Sequence, residues 1–177
     1  MDMLSQPAHA NLLFTHRYSL PIFRFLKTLQ SPATLGLVNN LRQRTALPEG
    51  PDVELYNMKV ESTAVKAEEV VTRWVSDGFC RAEEILILSP HGTIGKTSLV
   101  GCSKIGEWPL VSCVIRKPGE LSLLSINKAK GLDSLAVIMI DTPSFDKLAN
   151  PQQQMDYFMG ASRSRQLLAI LHREFGV

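Results

Sequence analysis

The sequence has no apolar run approaching the roughly 18–20 residues that a membrane-spanning helix needs, so no membrane partner is expected. Its opening, MDMLSQPAHA, lacks the charged and then apolar stretches of a secretory leader, and a cytoplasmic location is expected. Cysteine is scarce. Cys80, Cys102 and Cys113 make an odd number, and their spacings suit neither a zinc site nor a redox pair, which argues against a disulfide framework. His9, His16, His91 and His172 are scattered without acidic or cysteine partners at ligand spacing, so no metal site is expected. Charge of one sign is also lacking: the formal net charge of +2 says little about partners. There is no internal repeat and no low-complexity tract.

What is there is ordinary in amount and uneven in placement. Apolar residues make up 45% of 177, enough for one domain with a sizeable core. Up to Leu47 the basic residues Arg17, Arg24, Lys27, Arg42 and Arg44 face Asp2 alone, a pattern that fits either a surface near phosphates or a solvated helix face. LPIFRFLKTL follows Ser19, a candidate cap, with Pro21 tolerated in the first turn. Ser31-Pro32 is a stop signal, after which ATLGLVNNLRQ resumes a helical pattern. The turn-rich LPEGP (Leu47 to Pro51) marks a boundary between a helical amino-terminal segment, 1–50, and a second region, 51–177.

Beyond that boundary the pattern changes. VELYNM is a short β-type run. STAVKAEEVVTRWVSDGF is amphipathic, with Val65, Val70, Trp74 and Val75 on one face and Gly78 closing the helix. ILILSP reads as a strand buried on both faces. LVSCVI, LSLLSI and LAVIMID are three more β-type runs, QQMDYFMGASRSR reads as a helix, and QLLAIL as a last strand. Buried strands interleaved with helices predict an α/β fold with a mostly parallel sheet and flanking helices.

Two places offer chemistry. Gly95-Lys96-Thr97-Ser98 has the ending of a Walker A loop. Such a loop needs a glycine five residues before its Gly-Lys pair, so that backbone N–H groups can wrap phosphates. Pro90 stands there, with no N–H to give. A polar surface loop is the better reading. The other place is a basic turn, Lys128, Lys130 and Gly131, between two strand-like runs, expected at the carboxyl edge of the sheet where open α/β folds bind ligands. Twenty-odd residues later a helix carrying Arg163 and Arg165 runs into a strand. A fixed arginine can present a planar, permanently charged fork to a phosphate. Two positions apart on one helix, these arginines would point about 200° apart, so that only one faces a given phosphate.

These segments resemble motifs of the carboxyl-terminal RecA-like domain of UvrD/Rep-type superfamily 1 helicases. Ser125-Ile126-Asn127-Lys128-Ala129-Lys130-Gly131-Leu132-Asp133 is similar to motif V, T-[IV]-H-K-[AF]-K-G-L-E, with Asn127 where histidine is usual and Asp133 in place of glutamate. Tyr157 to Arg165, YFMGASRSR, is similar to motif VI, Y-V-[AG]-x-[ST]-R-A-[RK]. Thr15 to Ile22, THRYSLPI, matches motif IV at its arginine, hydroxyl and isoleucine positions.

The resemblance implies a RecA-like, P-loop NTPase-type second motor domain without a Walker A loop. It implies that ATP lies between this domain and a first RecA-like domain, which supplies the Walker A lysine and the acids that hold Mg²⁺. Neither feature occurs in this sequence, so the chain is expected to be incomplete as a motor. Carried over by position, Arg163 and Arg17 are the catalytic arginines. Gly131, Asp133 and Arg163 lie at the nucleotide, and Ser125, Asn127, Lys128 and Lys130 at single-stranded DNA. The implied function is the carboxyl-terminal half of an ATP-dependent DNA helicase. The alternatives are a non-catalytic helicase-derived module binding nucleic acid or a partner protein, and an unrelated nucleotide-binding enzyme that uses Gly95 to Ser98.

Overall fold

The computed structural model describes residues 17–42, 46–91 and 93–174. A seven-stranded sheet carries the chain. The strands are β1 (Glu54–Met58), β2 (Ile85–Ser89), β3 (Lys104–Ile105), β4 (Trp108–Val111), β5 (Leu121–Ser125), β6 (Ser134–Thr142) and β7 (Ser164–Arg173), in the order β1-β7-β6-β2-β5-β4-β3. Every pairing is parallel except β3 with β4. The helices are α1 (Leu20–Thr28), α2 (Leu35–Asn40), α3 (Thr63–Ser76) and α4 (Pro151–Ala161).

The alternation of side chains along a strand divides the core in two. Leu86, Leu88, Val137, Met139, Leu168 and Ile170 face one side, where Ile22, Phe23 and Leu26 of α1, Val38 of α2 and Tyr157, Phe158 and Ala161 of α4 cover them. Ile85, Ile87, Ala136, Ile138, Ala169 and Leu171 face the other, against Ala67, Val70, Val71 and Trp74 of α3. The sheet is covered on both faces, which is why its central strands read as continuous apolar runs. The helices of the first 50 residues thus share a core with the sheet.

Gly160 lets α4 pack closely on the sheet: a Cβ there would lie 2.9 Å from Met139 Cε, so the end of that methionine would have to shift. At the far side Glu54 ties β1 to α3, accepting hydrogen bonds from Arg73 Nη2 at 2.5 Å and Trp74 Nε1 at 3.1 Å.

Several expectations shift. Pro21 does sit in the first turn of α1 and Ser19 at its cap position, but the Ser19 side chain makes no capping bond. Val65 does not belong to the buried face of α3; it is 69% exposed. LVSCVI is a strand only through Val111, and Ile115 is 84% exposed. The predicted helix through Arg165 ends at Ala161, and β7 begins at Ser164. Among the described residues, no helix is long and apolar enough to cross a membrane.

Candidate functional site

The parallel register of β6 and β7 builds the centre of the site. Ser134 is paired with Ser164, and its N–H donates to the Arg163 carbonyl at 3.0 Å. The residues just before each strand, Asp133 and Arg163, are therefore neighbours. Arg163 sits in the tight turn between α4 and β7. Its N–H donates to the Gly160 carbonyl at 3.1 Å, and its side chain folds back so that Nε donates to the Met159 carbonyl at 3.2 Å and Nη1 to the Leu132 carbonyl at 3.4 Å. The third segment is held by backbone: the Ser19 N–H donates to the Arg165 carbonyl at 2.8 Å, placing Arg17 beside the start of β7.

Three guanidinium groups thus face one carboxylate. Arg17 contacts Asp133 directly, Arg163 Nη1 lies 3.8 Å from Oδ1, and Arg165 Nη2 lies 4.0 Å from Oδ2. Arg163 is buried, with 8% of its surface exposed, while the Arg165 side chain is largely in solvent. Burial lowers the Arg17 pKa; the nearby Tyr18 opposes this, and Arg163 and Arg165 add to the lowering. Burial also lowers Arg163. Both remain cations, since an arginine does not lose its proton in proteins. A cluster with more guanidinium than carboxylate charge suits an oxyanion and repels a metal cation.

From sequence, the two arginines are expected on one helix at the carboxyl edge of the sheet. They occupy instead a turn and the first residues of a strand. The cluster stands at the amino edge, because Asp133 and Arg163 each immediately precede a strand.

The structure brings Arg17, Asp133 and Arg163 together and sets the remaining candidates apart. Ser125 ends β5 at the carboxyl edge, buried, with its Oγ accepting from the Lys128 N–H at 3.2 Å. Ile126 and Ala129 plug the following loop into the core, which leaves Asn127, Lys128 and Lys130 exposed. Gly131 has φ +82, a left-handed turn that glycine adopts without strain, and the loop then descends to Asp133. Thr15 and His16 of the motif IV-like stretch, and Arg44 of the basic segment, lie outside the described residues.

Gly95 to Ser98 does not form a phosphate cradle. Ile94–Lys96 is a single 3-10 turn, and the Ser98 N–H donates to both carboxylate oxygens of Asp141, at 3.1 and 3.2 Å. Asp141 is a polar anchor that sequence reasoning missed. It is buried at the end of β6, has φ 61, and also accepts from Ser89 Oγ at 3.0 Å. The Asp that closes LAVIMID, a carboxylate ending an otherwise apolar strand, was the available signal. Beside it a cavity of about 380 Å³ opens at the carboxyl edge, lined by His91, Thr142, Asp156, Tyr157 and Arg173 among others.

No family model matches the chain, and no curated protein matches it in sequence. Its fold is similar to that of a solved structure described as the C-terminal domain of a possible DNA helicase from Lactobacillus plantarum. The TM-score is 0.59 at 12% identity, with 90% of this chain and 88% of that one covered. At that identity the likeness is one of fold: a mostly parallel α/β sheet with flanking helices, in the same overall arrangement as that helicase domain.

Proposed function

We propose that the chain is the second RecA-like half of a superfamily 1, UvrD/Rep-type DNA helicase motor. In this reading a first RecA-like domain holds ATP and its Mg²⁺, and the amino edge of this sheet closes on the nucleotide. Arg163 and Arg17 then stabilise the charge on the transferred phosphoryl group. Asp133 and Gly131 border the nucleotide, and Ser125, Asn127, Lys128 and Lys130 meet single-stranded DNA. The observation that carries the reading is the convergence of Arg17 and Arg163, from segments far apart in sequence, on the single carboxylate of Asp133.

One observation favours a second reading, a non-catalytic module of helicase ancestry. The Arg163 guanidinium is bonded to two backbone carbonyls, as a purely structural arginine would be. ATP turnover separates the two. The chain alone is expected to hydrolyse no ATP. Joined to the first RecA-like domain of a UvrD/Rep-type helicase, it is expected to restore DNA-stimulated hydrolysis that Arg163→Ala abolishes. Turnover by the chain alone would overturn both readings. A folded, joined protein that is silent would favour the second.

A further inference from the structure

Asp133 occupies the middle of the arginine cluster, where the proposed function puts a phosphate. Its carboxylate touches Arg17 and lies within 4.0 Å of both Arg163 and Arg165. Like charges at this spacing repel one another. A carboxylate between them is the internal counter-ion that lets them gather. It brings one negative charge to three positive ones. The terminal group of a polyphosphate brings more charge and three oxygens arranged for forked guanidinium groups.

We propose that Asp133 is a built-in anion that holds the cluster assembled and is displaced by the terminal phosphate of a polyphosphate ligand, so that it sets the affinity of the site. The inference rests on the reading above and adds the competitor. Displacing Asp133 breaks no strand pairing: it follows the Gly131 turn, immediately precedes the first paired residue of β6, and its side chain is 22% exposed. Arg163 is less free, anchored by Met159 and Leu132, and so stays in place to meet the incoming anion. Arg165, in solvent, forms the open side through which the anion enters.

The probe is tripolyphosphate without metal, titrated into the full chain by calorimetry at fixed ionic strength. Asp133→Asn removes the competing charge and keeps the shape, and is expected to bind tripolyphosphate at least about tenfold more tightly than the parent, because a unit charge a few ångströms from the ligand is removed. Asp133→Glu keeps the charge and is expected to stay within about threefold of the parent. Glu107→Gln, an exposed acid in the turn between β3 and β4, is expected to change affinity less than about twofold. If Asp133→Asn folds only when tripolyphosphate is present, the ligand has taken over the counter-ion role, as proposed. If it stays unfolded with tripolyphosphate present, the proposal fails. It also fails, alone, if the parent binds and Asp133→Asn binds no tighter. If neither protein binds the probe, the phosphate-facing reading of the cluster fails with it.

Discussion

Tyr157 Oη and His172 Nε2 lie 2.8 Å apart in a hydrogen bond beneath α4, with both side chains buried. Burial raises the Tyr157 pKa, so its hydroxyl keeps a proton to donate. Burial lowers the His172 pKa below its ordinary 6.5; Asp146 opposes this and Lys147 adds to it. The neutral ring is the form the fold selects. The unfolded chain therefore takes up this proton first as pH falls, and the fold loses stability. Full stability from this group is expected above about pH 6.5, with a loss that grows below it. Thermal melts across pH 5–8 check the point: a loss of about 1 kcal/mol lowers Tm by roughly 2–4 °C in a domain of this size. His172→Gln is expected to be less stable throughout but to lack this part of the pH dependence. An identical pH profile in the variant would rule His172 out as its source.

Asp141 secures the loop that carries Gly95 to Ser98. Its carboxylate accepts from Ser89 Oγ and the Ser98 N–H, and its backbone sits at φ 61, which Asp and Asn tolerate better than Ala. Asp141→Ala is expected to cost about 1–3 kcal/mol, since buried donors are left without their acceptor. Asp141→Asn is expected to cost less. Lys96→Ala, at an exposed position, is expected to leave both stability and nucleotide binding unchanged. Urea unfolding orders the three variants. A nucleotide-binding defect in Lys96→Ala would revive the phosphate-loop reading that the Ser98 geometry opposes.

Much of the fold was legible because burial on both faces of a sheet writes itself as continuous apolar runs. Ile85 to Leu88 and Ala136 to Ile140 needed no partner to be read as strands. The failures are places where a distant segment decides. Nothing local ends α4 with a glycine or a proline. It stops at Ala161 because Ser164 pairs with Ser134, and that pairing pulls Arg165 into β7. Val114 and Ile115 look like strand residues, yet they lie in the connection after β4 and stay exposed. The site shows the same division. The motifs named Arg163, Asp133 and Arg17, but their meeting depends on the β6–β7 register and on the backbone bond from Ser19 to Arg165, two residues near opposite ends of the chain. The edge of the sheet was misjudged for the same reason: a loop that begins at one edge and ends at the other carries both sets of residues.

Lys128 and Lys130 stand exposed on a loop pinned by Ile126 and Ala129, with no aromatic residue in that stretch to stack a base. Binding of single-stranded DNA through these residues would be dominated by phosphate. Weak binding that falls steeply with salt and shows little sequence preference is expected. Lys128→Ala with Lys130→Ala is expected to reduce the slope of log affinity against log salt by about 1–2, at roughly 0.7 for each phosphate no longer neutralised. Fluorescence anisotropy with a labelled oligonucleotide measures it. Tight binding that ignores salt, or a double variant with an unchanged slope, would remove these lysines from the DNA path.

Arg163 and Arg165 carry the most discriminating comparison. Arg163 is buried and bonded to the Met159 and Leu132 carbonyls, while the Arg165 side chain is 58% exposed and only brushes Asp133. Arg163→Ala strips a buried donor from those carbonyls, so stability falls by about 1–3 kcal/mol whatever else the residue does. Arg165→Ala removes an exposed ion pair worth less than about 1 kcal/mol. Stability alone cannot reveal a catalytic role, so turnover must be measured where both variants remain folded, in the protein joined to a first RecA-like domain. A transition-state arginine contributes roughly 10³-fold or more to the rate. Arg163→Ala is expected to lose that factor in kcat with a smaller change in KM. Arg163→Lys is expected to recover part of the stability and little of the rate, because a point charge lacks the fork. Arg165→Ala is expected to keep kcat within a fewfold. If Arg163→Ala lowers Tm and leaves kcat intact, the residue is a brace for the turn between α4 and β7; if Arg165→Ala is the damaging change, the register read through motif VI is wrong.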